Sequence, residues 1–287
     1  MSITIRKATV SDADACARII FDAFTDIAKQ HNFPCDFPGP ELAQRIAHGC
    51  IPDPRLYSVV AEIEGKVVGS NFLDERDAVR GVGPITVDPS CQARGVGRKL
   101  MEAVIERGKG APSIRLVQEA YNRTSLALYA SLGFDVVEPL VILTGTLTGQ
   151  LSHGAQVAPM REEDLDDAAR LCIHVHGFDR TNELRDNIKR MKPFVLRRNG
   201  MLTAYCGAAN FYLLNHGVAF REQDMRDLMI GASMAMNEPF GLLLPHRQAD
   251  LFRWCLSQKM RILKPMTLMS MGDYHEPRGT FFPSISY

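Results

Sequence analysis

Hydrophobic and polar positions along this chain switch repeatedly between a two-residue period and a helical one. Ile3-Thr4-Ile5-Arg6 alternates as a short strand. Cys16, Ile19, Ile20, Ala23, Phe24 and Ile27 then recur at helical spacing, behind Ser11 as predicted N-cap with Asp14 three residues on. Residues 31–40 carry Pro34, Pro38 and Pro40 and are predicted to be loop, with a second short helix over 41–50. Residues 56–63 and 67–72 read as a hairpin around Glu64-Gly65-Lys66. A short strand over 85–87 follows, then a helix whose stripe is Val96, Leu100, Met101, Val104 and Ile105, stopped by Gly108 and Gly110. Residues 114–118 form a further strand and 122–132 a helix ended by Gly133. Val136-Val137 and residues 140–143 close the sheet. The order βααβββαβαβ predicts an α/β fold with a mixed sheet.

A small, polar, glycine-rich stretch, residues 144–154, reads as a linker. The pattern then starts again. Asp12, Asp14, Ala17 and Arg18 align with Asp164, Asp166, Ala169 and Arg170, and Val136-Val137-Glu138-Pro139 resembles Ile262-Leu263-Lys264-Pro265. A repeated start and a repeated ending predict two copies of one fold, a domain over 1–146 and another over 155–287.

Between the strand at 85–87 and the helix at Val96 lies Gln92-x-x-Gly95-x-Gly97. Glycines there let successive backbone N–H groups face one concavity, and the helix start adds positive potential, so the turn suits a diphosphate. Arg94, Arg98 and Lys99 have the same sign. The turn lacks the Gly-Lys-Ser/Thr of a Walker loop, and Leu100 stands where a dinucleotide fingerprint needs its third glycine.

The turn, together with the preceding Val87-Asp88-Pro89, resembles the acetyl-CoA loop of the GNAT superfamily of N-acetyltransferases, Gln/Arg-x-x-Gly-x-Gly/Ala after a strand ending in Val-x-Pro. Asn122-Arg-Thr-Ser125-Leu-Ala-Leu-Tyr129-Ala-Ser-Leu-Gly133-Phe134 is similar to the family's second signature, Asn-x-x-Ala/Ser-x-x-x-Tyr-x-x-x-Gly-Phe. The resemblance implies tandem GNAT-like folds, each a mostly antiparallel twisted sheet with one splayed parallel strand pair and flanking helices. It implies that the first copy is catalytic and takes acetyl-CoA as co-substrate, with no metal. Ile85, Thr86, Val87, Gln92, Ala93, Arg94, Gly95, Val96, Gly97, Arg98, Asn122, Ser125 and Tyr129 would touch CoA. The pantetheine arm would lie between residues 85–87 and 114–118. The Val87 amide would polarise the thioester carbonyl and Tyr129 would protonate the leaving thiolate. The residues themselves also allow Tyr129 to be a core aromatic. Asp74, Glu75, Asp77 and Glu119 are the carboxylates near the cleft, each better read as a solvated charge than as the base.

In the register set by the late echo, Asn122, Tyr129 and Gly133-Phe134 fall opposite Gln248, Cys255 and Lys259-Met260. The segment that should match the CoA turn, residues 218–226, has no glycine and carries Glu222 and Asp224. The second copy is therefore expected not to bind CoA in the usual way, and to help wall the acceptor site. The polar run 176–182 is a candidate for that wall.

The 287 residues hold 33 acidic and 33 basic side chains, a balance that favours a small-molecule amine over nucleic acid, an anionic membrane or a basic protein tail as partner. No apolar run spans a bilayer, no signal-peptide core follows the first residues, and seven cysteines without Cys-x-x-Cys fit free thiols in a reducing cytoplasm. His174-x-His176 lacks metal-ligand spacing, Cys91 reads as a passive thiol, and the many methionines of the second half read as core. The reading competing with an N-acetyltransferase is a CoA-binding sensor without turnover. The sequence leaves the oligomeric state open.

Overall fold

The computed structural model describes residues 2–286. The first copy runs β1 (Ile3–Lys7), α1 (Ala13–His31), α2 (Pro40–Cys50), β2 (Leu56–Ile63), β3 (Lys66–Asp74), β4 (Arg80–Val82), β5 (Thr86–Val87), α3 (Val96–Gly108), β6 (Ser113–Glu119), α4 (Arg123–Ser131) and β7 (Asp135–Gly145). The second runs β8 (Ala155–Pro159), α5 (Leu165–His176), α6 (Thr181–Arg190), β9 (Phe194–Arg198), β10 (Met201–Cys206), β11 (Gly217–Ala219) and α7 (Glu222–Met236). It ends with β12 (Phe240–Pro245), α8 (Ala249–Ser257), β13 (Arg261–Gly272) and β14 (Thr280–Phe282).

The two copies repeat each other down to single hydrogen bonds. Ahead of α1 the chain makes a short 3-10 turn, Val10–Asp12, and ahead of α5 another, Glu162–Asp164. The Asp12 carboxylate accepts the Thr9 N–H at 2.8 Å and pairs with Arg6; Asp164 accepts the Arg161 N–H at 2.8 Å and pairs with Arg197. This corrects the expected Ser11/Asp14 cap. Asp12, held by the Arg6 guanidinium well below the usual carboxylate range, ties the chain down from Thr9 instead. Late in each copy Asn122 caps α4 and Gln248 stands at the same place before α8. Gly133 and Lys259 both adopt left-handed φ, of 98° and 63°. Phe134 N–H bonds Tyr129 C=O and Met260 N–H bonds Cys255 C=O, each at 3.1 Å.

Two compact units result, and their boundary differs from the one expected after residue 146. The first is Met1–Leu116 with Tyr121–Asp135, and the second is Val117–Ala120 with Val136–Tyr287. Within the first, the sheet order is β1-β2-β3-β4-β6, with β5 paired to β3. Ile20, Val60 and Phe72 are part of its core beneath α1 and α2. In the second, the end of β6, then β13, β7 and β12 lie side by side, and β14-β11-β10-β9-β8 form a separate sheet. The late strands of the two copies are thus interleaved, β13 between β6 and β7 and β7 between β13 and β12. Ala120 N–H donates to Pro265 C=O at 3.2 Å, and its counterpart His246 N–H donates to Pro139 C=O at 3.0 Å. β7 pairs with β12 from Leu140↔Pro245 to Gly145↔Phe240 and runs unbroken through Pro139, where the sequence suggested an interruption. Val141, Leu143, Phe240, Leu242 and Leu244 bury this strand pair in one core with α7 and α8.

The linker is not a free tether. Leu147 is buried and donates its N–H to Ser233 Oγ at 2.9 Å, and Ser152 N–H bonds Asp227 at 3.1 Å.

β6 and β13 carry a buried ion pair. Lys264 Nζ lies 2.6 Å from Glu119 Oε1, with side-chain exposures of 1% and 8%. Glu119 is therefore not the solvated charge the sequence suggested. Lys264→Met strands the carboxylate away from water and should lower stability by about 3–5 kcal/mol in urea unfolding, whereas adding Glu119→Leu should recover most of that loss. A single mutant as stable as the parent would show that the lysine does not hold the carboxylate in this way.

Candidate functional site

The site is built where three elements of the first unit meet. β4 pairs with β6 in parallel only at Arg80↔Ile114 and Gly81↔Arg115. The β3 register then slips by one residue, from Leu73↔Val82 and the Gly83 N–H to Phe72 C=O bond to Ser70↔Thr86 and Gly69↔Val87. One extra residue around Pro84 makes a β-bulge, and a proline, lacking an N–H, suits it. Past the bulge the chain follows β3 as β5. Ile85 falls outside the strand, which the sequence had extended over it.

Along β5 the backbone alternates. Thr86 lies opposite Ser70, and Asp88 N–H donates to Val68 C=O at 2.8 Å, so Val87 between them is the residue whose N–H and C=O turn away from β3. The close approach of β5 depends on Gly69, where a Cβ would sit 2.7 Å from Thr86 C=O.

Asp88 next shapes the turn. Its carboxylate accepts Ser90 N–H at 3.1 Å and Ser90 O–H at 2.7 Å, with Arg18 at 3.2 Å. Those Ser90 bonds hold its pKa below the ordinary value even against burial, and Arg18 offsets its charge. Gln92 to Gly95 are exposed, Ala93 and Gly95 adopt left-handed φ of 61° and 83°, and Gly95 begins α3 with no side chain over it. The amides of Val96, Gly97 and Arg98 precede the first intrahelical bond, Lys99 N–H to Gly95 C=O. A Cβ at Gly95 would meet nothing within 4 Å, and one at Gly97 would meet Leu128 at 3.4 Å and Val87 at 3.8 Å. The turn, β5 and α4 thus converge on Gly97. The turn has room and donors for a diphosphate.

Two of the cations expected to reinforce it do other work. Arg98 donates to Ser131 Oγ on α4 at 2.7 Å and Lys99 to Ile3 C=O at 3.2 Å. Arg94 is exposed. On α4, Asn122 Oδ1 accepts Ser125 N–H at 3.1 Å, so part of the side chain expected to bond CoA is spent on the helix cap. Tyr129 is 6% exposed and stands edge-on to Phe134, ring centroids 6.3 Å apart. At the α1–α2 side, Phe33 stacks on Tyr121 at 4.3 Å and His31 lies 5.1 Å from the same ring.

The carboxylates near the cleft are engaged. Asp74 pairs with Arg76, and Glu75 accepts from Arg107 at 2.9 Å. In the second copy, β11 leads straight into α7. Asp224, fully buried, is held by Arg198 at 2.8 Å, and no glycine turn intervenes. His176 packs edge-on to Phe281, and Arg180, 3% exposed, donates to Ser284 Oγ at 3.0 Å and pairs with Glu183.

Residues 21–134 match the model of the acetyltransferase (GNAT) family. Over that stretch the chain is similar to GNAT acetyltransferases. A mycothiol acetyltransferase of Nocardioides is 31% identical over 150 residues, covering 46% of this chain and 50% of that one. The N-alpha-acetyltransferase RimI of Mycobacterium tuberculosis is 29% identical, covering 47% of this chain and 80% of that one. The chain spans about half the length of that mycothiol acetyltransferase. Over its whole length the tandem GNAT fold recurs in a Pyrococcus horikoshii protein named as a candidate acetyltransferase. The TM-score there is 0.76 at 17% identity, over 99% of this chain and 95% of that one. A tandem GNAT protein from the clavulanic acid pathway covers 94% of this chain and 98% of its own, with TM-score 0.59 and 12% identity. Among the described residues no helix is long and apolar enough to cross a membrane.

The sequence missed β4 and the bulge. Gly83-Pro84 was their only local signal.

Proposed function

We propose that this GNAT protein is an acetyl-CoA-dependent N-acetyltransferase whose first copy does the chemistry. The observation that carries the reading is the Val87 amide, turned away from β3 and next to the exposed glycine turn. The amides of Gln92 to Arg98 would hold the diphosphate, with Asn122 and Ser125 further along the arm. An extended pantetheine arm would bond backbone at Ile85, Thr86 and Val87 as a strand does.

The reaction is a direct displacement. The amine nitrogen attacks the thioester carbonyl, and the Val87 N–H stabilises the charge that develops on its oxygen. The tetrahedral centre collapses, the carbon–sulfur bond breaks, and Tyr129 gives its proton to the departing thiolate. The proton lost by the amine leaves to water, from which Tyr129 regains its own; Asp74, Glu75 and Glu119 are held in ion pairs. A small-molecule amine is the proposed acceptor. The balanced net charge favours it, and one relative's name carries mycothiol. The second copy, with Glu222 and Asp224 in the first turn of α7, is proposed not to take CoA.

Calorimetric titration with CoA tests both halves of this reading. One site per chain is expected. Two sites would refute the inactive second copy, and none would refute the glycine turn as a CoA site. Amine-dependent release of free thiol from acetyl-CoA separates an enzyme from a CoA sensor.

A further inference from the structure

The second copy is sealed by its own chain. In the first copy β4 and β6 part after two pairs, leaving the side of β5 away from β3 without a strand. The counterparts of those strands are β11 and β12, and they do not pair at all. β14 lies between them. It pairs antiparallel with β11 at Gly217↔Phe282, Val218↔Phe281 and Ala219↔Thr280. On the other side Phe282 meets Phe240 of β12 edge-to-face, centroids 6.1 Å apart.

The fit is detailed. Phe281 and Phe282 are fully buried, and so is Ser284, which Arg180 bonds. Gly217 has no side chain where the Phe282 ring lies: a Cβ there would meet Cζ at 2.4 Å. Gln248, the counterpart of Asn122, receives the Phe281 N–H on Oε1 at 3.0 Å and donates Nε2 to the Phe281 C=O. A side-chain amide thus satisfies both backbone groups that Phe281 turns away from β11.

We propose that Thr280–Phe282 is an intramolecular ligand of the second copy. It fills, as an added strand, the slot between β11 and β12 whose first-copy equivalent stays open, and Gln248 is the residue that reads its backbone. The second copy is then a closed peptide-binding site occupied in cis. It recognises an extended segment with two adjacent aromatic residues, the second seated on Gly217.

The test uses the whole chain and a fluorescent peptide of residues 277–286. The parent should not bind it. Phe282→Asp should expel β14 and bind the peptide saturably, one per chain, and Gly217→Val added to that variant should abolish binding. A folded Phe282→Asp chain that binds no peptide, or a parent that binds as well as the variant, would overturn the proposal. Should Phe282→Asp not fold, Gln248→Ala decides. The Phe281 amide should then exchange hydrogen at least about tenfold faster, with β9 and β10 unchanged. Unchanged exchange at Phe281 would equally overturn it. Neither readout involves acetyl transfer, so the assignment of β14 and the proposed enzymatic activity fail separately.

Discussion

Gly97→Phe should weaken CoA binding roughly 30- to 1,000-fold while leaving the melting temperature of the protein nearly unchanged. The glycine is the second residue of α3, and a Cβ there makes only ordinary contacts with Leu128 and Val87. The helix itself gains by losing a glycine, by up to about 1 kcal/mol. A ring, however, cannot fit between Leu128 and Val87 and must turn over the free amides of the first turn. One or two charge-assisted hydrogen bonds to the diphosphate are lost, about 2–4 kcal/mol in all. Calorimetry with CoA measures the loss. Pantetheine, which lacks the diphosphate, should bind parent and variant alike. If CoA binds the variant as tightly as the parent, the anion does not sit on α3.

Tyr129→Phe should lower the turnover number about a hundred- to ten-thousandfold, with CoA affinity almost unaltered. The aromatic ring remains edge-on to Phe134, so the buried environment survives and the stability cost is about 1 kcal/mol. The loss should shrink for thioesters whose thiol is more acidic, because such a thiolate departs without help. A structural tyrosine would instead give the same loss for every leaving group. Steady-state rates on two or three thioesters separate the cases, and equal turnover by the variant would remove Tyr129 from the chemistry.

Those predictions could be framed from the sequence because the turn and α4 are local. Gly95, Gly97 and the Asn122–Phe134 segment act through spacing along one strand-turn-helix, which is visible in a string of letters. The repeat was legible for the same reason: Asp12 and Asp164, or Gly133 and Lys259, solve the same local problem twice. What could not be read depends on partners far away in the chain. Glu119 looked solvated because Lys264 is remote in sequence. The linker looked loose because Ser233 and Asp227 are on α7. The bonds of Arg98 to Ser131 and of Lys99 to Ile3 were likewise invisible, because those partners are not their neighbours in sequence. Strand order, unlike strand identity, is not written in periodicity. β7 belongs with β12 and β13, which only the fold reveals.

The crossing of β13 between β6 and β7 also fixes when the protein can mature. As the chain emerges from the ribosome, β6 and β7 appear first, and the strand that joins them is synthesised only after almost all of the second copy. At about 5–20 residues per second that interval is roughly ten seconds. Throughout it the nascent chain presents two open strand edges, the kind of surface that seeds aggregation and that chaperones shield. Premature termination anywhere before residue 261 therefore releases a polypeptide with an unfinished sheet rather than a smaller working enzyme.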